Sequence, residues 1–451
     1  MRLKFNAFSG MIPKFNPVVL PDNNAENAVN CRFESGVLQP LYGLTQDATL
    51  ALTGHNINAI HRWDVNNNAY WLRFADKVDV IRSPIADDSY SRIYWSGDSR
   101  MGGALLYSYA GAVNAVTGGG GTEYPNNYYK LGIPAPTQKP TAVLVSTAPT
   151  DYVSASARSY VYTYIGKLGE ESSPSLPSDP LICPNEGAVV HVTNLTFDIS
   201  ADTGREIVAV RLYRVIVGST GNADYLFVDE ITKSDILGGS GKYSGNKYVD
   251  NIADDGLAGS LVTTSWDEPR DNMYSLGLTA YGVAYAALGK IVCLSEVFVP
   301  YAWPRDYELT CDNDIVAIGH YDNALIVGTT GRPVMITGID PQNMSQSELP
   351  ISEACVSAKS MVSMGRYAIY ASPNGLVMAS GGDAQLITGG IITNREWANY
   401  QPDSIHAYQH RGKYIFFWKK DAVNNGGVIF DPRNPNDGLI AFNQYFVAVL
   451  S

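Results

Sequence analysis

Residues 314–431 contain one pattern written three times, and this repeat constrains the fold more than any other feature of the chain. Each copy has a strand rich in β-branched and aromatic residues, a tight polar turn, a second such strand and a longer loop. The copies read DIVAIGHYDNALIVGTTGRPVMIT from 314, SMVSMGRYAIYASPNGLVMA from 360 and SIHAYQHRGKYIFFW from 404. Their starts lie 46 (360 − 314) and 44 (404 − 360) residues apart. A period of this length with several strands per period predicts the blades of a β-propeller.

The composition favours strands over helices throughout the chain. Of 451 residues, 42 are Gly, 24 are Pro and 29 are Tyr. Gly and Pro mark turns, and Tyr prefers the half-buried surface of a sheet. The length exceeds that of one ordinary core, so we expect more than one domain in an all-β fold.

The charge balance argues against a protein that grips nucleic acid. The net charge is −12, from 32 basic and 44 acidic residues. Binding to phosphate would require a basic surface. An acidic wall is still compatible with nucleic acid that slides past without sticking.

Cysteine usage and hydropathy predict a protein of the cytosol without a membrane span. The five cysteines are Cys31, Cys183, Cys293, Cys311 and Cys355, with no CxxC pair. Their odd number and wide spacing predict buried, reduced thiols. The longest apolar stretch, residues 276–288, has 13 residues, whereas a span needs about 20. The N-terminus lacks the apolar region of a signal peptide.

Four segments divide the chain. Residues 1–45 are rich in Pro and Asn and predict an extended N-terminal arm, with a short helix within 22–30. Residues 46–135 resume the strand rhythm and predict the first part of the propeller. Residues 136–265 predict an inserted β-sandwich, and residues 266–451 the remaining blades, with a strand at 439–450 that closes the ring. The sequence thus predicts a β-propeller-like domain interrupted by a sandwich.

The predicted sandwich has short alternating strands between frequent turn signals. It carries YVYTY at 160–164, a loop with ESSP at 171–174 and RLYR at 211–214. This order resembles fibronectin type III domains of phage and cell-surface proteins.

No catalytic, cofactor-binding or metal-ligating residue emerges from the motifs. HExxH, GxSxG, the P-loop and GxGxxG are all missing from the sequence. The Gly run at 117–122 has neither the preceding strand nor the following helix of a phosphate cradle, so it predicts a loop. His406 and His410 are four residues apart, yet their segment predicts solvated turn residues rather than metal ligands.

Three acidic clusters could in principle hold calcium: Asp87–Asp88, Asp250–Asp255 and Asp312–Asp314. They lack the Gly and the terminal Glu of an EF-hand, so the sequence favours loops that face water. A propeller glycosidase remains open as an alternative, because its two facing carboxylates would come from different blades.

Three groups of segments, taken in order, resemble tail nozzle proteins of short-tailed bacteriophages. The first is LPDNNAENAVNC at 20–31 with GVLQP at 36–40, and the second is YVYTYIGKLGEESSP at 160–174. The third is GTTGRPVMITG at 328–338, CVSAKSMV at 355–362 and YASPNGLV at 370–377. The resemblance covers most of the chain and rests on the ordered set.

The resemblance implies a structural virion protein of the phage tail and not an enzyme. Six copies would form a ring below the portal and its head-to-tail adaptor protein, with tail fibres or a tail needle as possible neighbours. The ring would hold double-stranded DNA until infection and then pass it without sequence-specific binding. A cyclic ring uses heterologous contacts, and the Pro-rich arm at 10–40 is a candidate contact. The alternative function is a propeller that recognises a glycan or protein through Trp and Tyr on one face.

Overall fold

The chain folds into two compact units, one inserted into the sequence of the other. The computed structural model describes residues 7–33, 36–43, 57–65, 68–110, 127–148, 155–217 and 223–446. The first unit holds residues 1–127, 272–298 and 307–451, and the second holds residues 128–271 and 299–306. The Gly run at 117–122 and positions 447–450 of the predicted last strand lie outside the described residues.

Almost every regular element is a strand. In chain order the strands are β1 (Ser9–Met11), β2 (Asn24–Ala25), β3 (Cys31–Arg32), β4 (Gln39–Pro40), β5 (Ala59–Val65), β6 (Asn68–Phe74), β7 (Asp79–Arg82), β8 (Ile93–Ser96), β9 (Leu106–Ser108), β10 (Tyr129–Lys130), β11 (Thr141–Leu144), β12 (Ala155–Arg158), β13 (Tyr160–Gly166), β14 (Leu181–Pro184), β15 (Val190–Thr193), β16 (Ile207–Val217), β17 (Ala223–Thr232), β18 (Tyr248–Asp250), β19 (Ala258–Ser260), β20 (Tyr274–Leu278), β21 (Ala284–Leu288), β22 (Ile291–Leu294), β23 (Leu309–Thr310), β24 (Ile315–Tyr321), β25 (Ala324–Thr329), β26 (Val334–Thr337), β27 (Ser345–Glu348), β28 (Val362–Ser363), β29 (Ala368–Ser372), β30 (Gly375–Ser380), β31 (Asp383–Leu386), β32 (His406–His410), β33 (Lys413–Lys419), β34 (Asn425–Phe430) and β35 (Leu439–Phe442). The α-helices are α1 (Ile199–Asp202), α2 (Lys233–Gly238) and α3 (Asn394–Asn399). Single 3-10 turns include Pro17–Val19, Arg100–Gly103, Gly241–Tyr243, Asp254–Gly256, Arg305–Tyr307, Pro341–Asn343, Ala358–Ser360, Pro402–Ser404 and Pro435–Asp437.

The first unit is a β-propeller-like assembly of antiparallel sheets. Strands β20–β23, β24–β27, β28–β31 and β32–β35 form four successive meanders, each hydrogen-bonded in sequence order. The first strands of these sheets contact one another in turn, and β7 contacts β20. First strands that meet side by side are the inner strands of propeller blades. His406 at the start of β32 also lies within electrostatic reach of Lys77, just before β7.

The three sequence repeats coincide with three of these sheets. Strands β24, β28 and β32 begin each copy, and the polar turn between β24 and β25 contains Asp322 with a φ of 45°. The interpretation of the last part of each copy as a longer loop is wrong, because each of the three sheets contains two further strands there. In the sheet that starts at 315, these are β26 and β27, and every residue of β27 is exposed.

The N-terminal arm is extended, but the short helix predicted within 22–30 is wrong. The arm instead carries β2, which pairs with β1, and β1 pairs with β35 through Met11 and Leu439. Gly10 makes this approach possible, because a Cβ there would lie 2.6 Å from the carbonyl oxygen of Leu439. A lone segment of nine residues has little intrinsic helix stability, whereas sheet pairing satisfies its backbone and covers the edge of β35.

All five cysteines carry free thiols, and four of them are buried as the sequence predicted. The exception is Cys31 on β3, which is partly exposed. Its strand belongs to a short two-stranded sheet of the arm, paired with β4, and its side chain packs at the margin of the core that contains Leu439.

Cross-strand pairs of glycine with an aromatic residue recur in the propeller sheets. Gly277 of β20 faces Tyr285 of β21, and Gly427 of β34 faces Phe442 of β35. A Cβ on Gly277 would lie 2.1 Å from the Tyr285 ring, and one on Gly427 would lie 2.0 Å from the Phe442 ring. The Tyr285 and Phe442 rings therefore pack directly on the glycine backbone of the neighbouring strand.

Replacing Gly277 by Ala should destabilise the first unit by about 1–3 kcal/mol, the usual cost of overpacking. The Tyr285 ring is buried and has to shift to admit the methyl group. Thermal unfolding of the purified variant tests this. Gly390→Ala is the control, because a Cβ at Gly390 would have no atom within 4 Å and neither glycine has a positive φ. Equal losses in both variants would contradict the steric explanation.

The second unit is a β-sandwich. One sheet has the order β13-β16-β17-β19, another has the order β11-β15-β18, and β12 pairs with β14. Its core draws Tyr160 and Tyr162 from the first sheet and Val190 and Val192 from the second. These positions alternate along their strands, as expected for two sheets packed face to face.

Candidate functional site: the polar cluster between the inner strands

Five side chains from neighbouring sheets form a polar cluster in the first unit. We call the set Asp79, Tyr285, His320, Lys359 and Ser363 the inner polar cluster. Lys359 Nζ donates to the carboxylate of Asp79 and, at 3.2 Å, to the carbonyl oxygen of Val78. Tyr285 Oη lies 3.0 Å from Nδ1 of His320. The backbone N–H of His320 donates to Ser363 Oγ at 3.1 Å.

The strand order explains why these residues meet. Asp79 begins β7, His320 lies on β24 and Ser363 ends β28, and these are the inner strands of their sheets. Tyr285 reaches the cluster from β21, because Gly277 leaves room for its ring. Hydrogen bonds thus connect the sheets that begin with β20, β24 and β28, and the Lys359–Asp79 pair joins the segment just before β28 to β7.

Burial sets the electrostatics of the cluster. Desolvation raises the pKa of Tyr285, and the negative charge of Asp79 raises it further, so the phenol stays protonated. Desolvation lowers the pKa of His320, so the imidazole is neutral at neutral pH. A neutral imidazole beside a phenol is a stable hydrogen-bonded pair, whereas the ion pair Lys359–Asp79 is half-exposed.

Ser363 places an aliphatic hydroxyl near the imidazole of His320, as a nucleophile beside a base would be. Its Oγ lies 3.5 Å from Nδ1 of His320, at the limit of a hydrogen bond. The same ring nitrogen already has the closer Tyr285 hydroxyl, and Ser363 Oγ already accepts from the backbone N–H of His320. These hydrogen bonds join residues of different sheets.

Acid should weaken the first unit partly through His320. Its pKa is lowered in the fold, so the unfolded chain takes up the proton first as the pH falls. This contribution is present above the unfolded pKa of about 6.5 and is lost as the pH falls through the folded pKa. Denaturant unfolding at several pH values should show a smaller acid loss in His320→Gln than in the wild type. His410→Gln is the control, because His410 is exposed.

His406 and His410 do not behave alike, and the prediction of solvated turn residues is wrong for His406. Both lie on β32. The His406 ring stacks on Phe417 at 5.3 Å, and its Nε2 lies 2.7 Å from the carbonyl oxygen of Phe446. Among the described residues, no group of three or more His, Cys, Asp or Glu side chains is placed to hold a metal ion.

The three acidic clusters contain both exposed and buried aspartates. Asp87, Asp312 and Asp314 lie in loops and are exposed, as loops that face water would be. Asp88 is not, because Arg92 Nε donates to it at 2.8 Å and its side chain is almost buried. Asp250 is fully buried. The water-facing interpretation is therefore wrong for Asp88 and Asp250.

Asp250 belongs to a charge network inside the sandwich that is buried except at Asp254, whose side chain is 36% exposed. We call Arg158, Tyr160, Arg214, Asp250 and Asp254 the sandwich ion network. Arg214 donates to Asp250 at 2.7 Å and to Asp254 at 2.7 Å, and Tyr160 Oη donates to Asp250 at 2.7 Å. Arg158 donates to Asp254 at 3.0 Å. Two cations thus face two carboxylates.

Sequence reasoning missed both networks. The pairing of β13 with β16 places Tyr160 opposite Arg214. A charged residue at an inward position of an alternating strand was the available signal, since such a residue needs a buried partner. The partner, Asp250, is 36 residues away and could not be chosen from spacing.

No protein-family model matches this chain, and no curated protein sequence matches it. Among solved structures, one similar chain is PorZ, an essential surface component of the type-IX secretion system of Porphyromonas gingivalis. It shares 13% identity over 60% of this chain and 32% of its own length, with a TM-score of 0.28. The chain thus spans about a third of PorZ.

Two further solved structures have similar scores. Apo AztD from Citrobacter koseri shares 10% identity over 66% of this chain and 97% of its own, with a TM-score of 0.26. YCF48 from Cyanidioschyzon merolae shares 10% identity over 81% and 82%, with a TM-score of 0.26. Likenesses this low carry no argument about function. In the described part of the chain, no helix has the length and apolar character needed to cross a membrane.

Proposed function

We propose that this chain is a structural subunit of a short-tailed phage tail, the distal nozzle below the portal and its adaptor. The observation that carries the proposal is the ordered resemblance of the segments at 20–40, 160–174 and 328–377. In this role the protein assembles as a ring, with six copies as the expected number. It holds double-stranded DNA and passes it on ejection, and its place is the virion.

The inner polar cluster and the sandwich ion network support a rigid structural role. Their hydrogen bonds join different strands, which stiffens each unit. The net charge of −12 supports passage of DNA without adhesion. An alternative within this fold is a binding module for a glycan or protein.

The N-terminal arm supports assembly, because it exposes large apolar side chains close together. Phe15, Val18 and Val19 are 42%, 90% and 64% exposed. The 3-10 turn that presents the two valines is capped by Asn16, whose Oδ1 accepts from the N–H of Val18 at 3.0 Å. An ordered turn with clustered apolar side chains is a typical contact surface between subunits.

The double variant Val18→Asp, Val19→Asp should abolish ring assembly while the isolated subunit stays folded. Two carboxylates placed in an apolar contact carry a large desolvation cost, and neither valine supports the fold of its own subunit. Mass photometry and negative-stain images of the purified full chain give the assembly state, and circular dichroism gives the fold.

Val423→Asp is the matched control, because Val423 is 87% exposed on the turn between β33 and β34. It should leave rings intact. If the Val18→Asp, Val19→Asp variant forms normal rings, the N-terminal arm does not form the contact between subunits. A wild-type protein that sediments only as a monomer, together with its absence from purified virions, would overturn the nozzle proposal.

A further inference from the structure

A surface cavity of about 230 Å³ lies beside helix α3 in the first unit. It is lined by Pro13, Ile392, Glu396, Asn399, Tyr400 and Trp418. One wall comes from the N-terminal arm, one from α3 and one from β33. The cavity plays no part in the inner polar cluster.

The walls of this cavity are held in place by specific contacts. Helix α3 has a capping box, in which Glu396 Oε2 accepts from the N–H and the hydroxyl of Thr393 at 3.1 and 2.7 Å. The arm is fixed by Lys14, whose N–H donates to Ile391 O at 2.9 Å. The Tyr400 and Trp418 rings meet edge to face at 5.4 Å. The cavity is therefore preformed.

Polar groups at this cavity have unused hydrogen-bonding capacity within the described residues. The bonds of Glu396 engage Oε2 and leave Oε1. The hydroxyl of Tyr400, Nε1 of Trp418 and the side-chain amide of Asn399 take part in none of the protein hydrogen bonds found there. The cavity thus combines donors and acceptors with aromatic surface.

This mixture favours one class of ligand. An organic cation would use the rings and Glu396, but the N–H groups of Trp418 and Asn399 would gain nothing from it. A sugar ring has C–H faces that pack on aromatic rings and hydroxyls that both donate and accept. The volume is below the range of about 300–1,000 Å³ usual for drug-sized ligands. One pyranose ring, with the rest of its chain outside, suits that size.

We propose that this cavity binds one sugar residue of a glycan, with Trp418 and Tyr400 as the aromatic surface and Glu396 and Asn399 as hydroxyl partners. The site goes beyond the proposed nozzle role, because it needs neither a ring nor DNA. On a tail protein its source of ligand would be a cell-surface polysaccharide.

The test uses the full-length protein on a glycan array, followed by titration of the best oligosaccharide. Trp418→Ala should weaken binding at least about tenfold, because stacking and one donor are lost. Tyr400→Phe keeps the ring and should weaken binding by a smaller factor, since only the hydroxyl is lost. Trp71→Ala is the matched control, because Trp71 is also half-buried but lies on β6. It should bind as the wild type does.

Tetramethylammonium chloride separates the two ligand classes. The proposal would be overturned if the protein binds this cation but no glycan. In that case the Tyr400→Phe variant would still bind the cation, and the Glu396→Gln variant would not. An array with no specific glycan would also overturn it, as would equal weakening by Trp418→Ala and Trp71→Ala. Ring assembly is measured separately by mass photometry, so intact rings without glycan binding reject this site and leave the nozzle proposal standing.

Discussion

Replacing Arg214 by Met is expected to lower the free energy of unfolding of the sandwich by about 3–5 kcal/mol, the cost of breaking a buried ion pair. Arg214 and Asp250 are both fully buried, and their charged atoms lie 2.7 Å apart. Burial alone would lower the pKa of Arg214, but Asp250 and the other partners outweigh it and raise it. Methionine fills similar space but leaves Asp250 as a buried carboxylate whose remaining partner in the network is the Tyr160 hydroxyl.

Hydrogen–deuterium exchange in β16 and β18 measures this loss apart from the propeller strands, because each peptide reports its own unit. Lys139→Ala is the control. Lys139 pairs with Asp179 at 2.7 Å, but their side chains are 48% and 89% exposed. Such surface pairs contribute about 0–1 kcal/mol. A similar loss of stability in Arg214→Met and Lys139→Ala would show that burial does not determine how much the Arg214–Asp250 pair stabilises the sandwich.

The double variant Arg214→Met, Asp250→Leu should regain most of the stability that Arg214→Met loses. With both charges removed, no uncompensated carboxylate remains, and apolar replacements of buried pairs are often neutral. Tyr160 loses its acceptor in this variant, so recovery is expected to be incomplete by about 1 kcal/mol. A double variant that is no more stable than Arg214→Met would assign the loss to packing and not to charge.

The repeat in the sequence predicted the blades because each copy is local. Strand β24, the turn at Asp322 and β25 follow one another directly, and their β-branched residues alternate with the turn signals. Strand β27 was not predicted, because its sequence is Ser-Gln-Ser-Glu and all four residues are exposed. An exposed outer strand made only of polar residues has no apolar pattern to detect.

The candidate site could not be predicted because its residues come from distant segments. Asp79 and Lys359 are 280 positions apart, and they meet only because β7 and β28 belong to inner strands of one propeller. The same limit applies to the cavity, where Pro13 of the arm and Trp418 line different walls. The composition of the arm predicted an extended chain. Its pairing with β35 depends on the close approach of Gly10 to Leu439, which composition does not indicate.

Trp397→Ala is expected to destabilise the last two sheets of the propeller by about 3–5 kcal/mol, the usual loss for a buried Trp. Trp397 is 1% exposed on α3, and its Nε1 donates to Ser372 O at 2.8 Å. Its ring packs on Phe416 at 5.8 Å. Ser372 ends β29 and Phe416 lies on β33, so this one side chain ties α3 to two sheets.

Equilibrium unfolding of Trp397→Ala and Trp418→Ala separates fold from ligand site. Trp418 is only half-buried and lines the cavity, so its loss should cost clearly less stability than that of Trp397. Trp397 also packs against Tyr400 at 6.1 Å. Its removal should therefore weaken both stability and sugar binding, whereas Trp418→Ala should mainly weaken binding. If Trp397→Ala unfolds within about 1 kcal/mol of the wild type, α3 is not fixed through this residue, because a cavity of that size carries a larger cost.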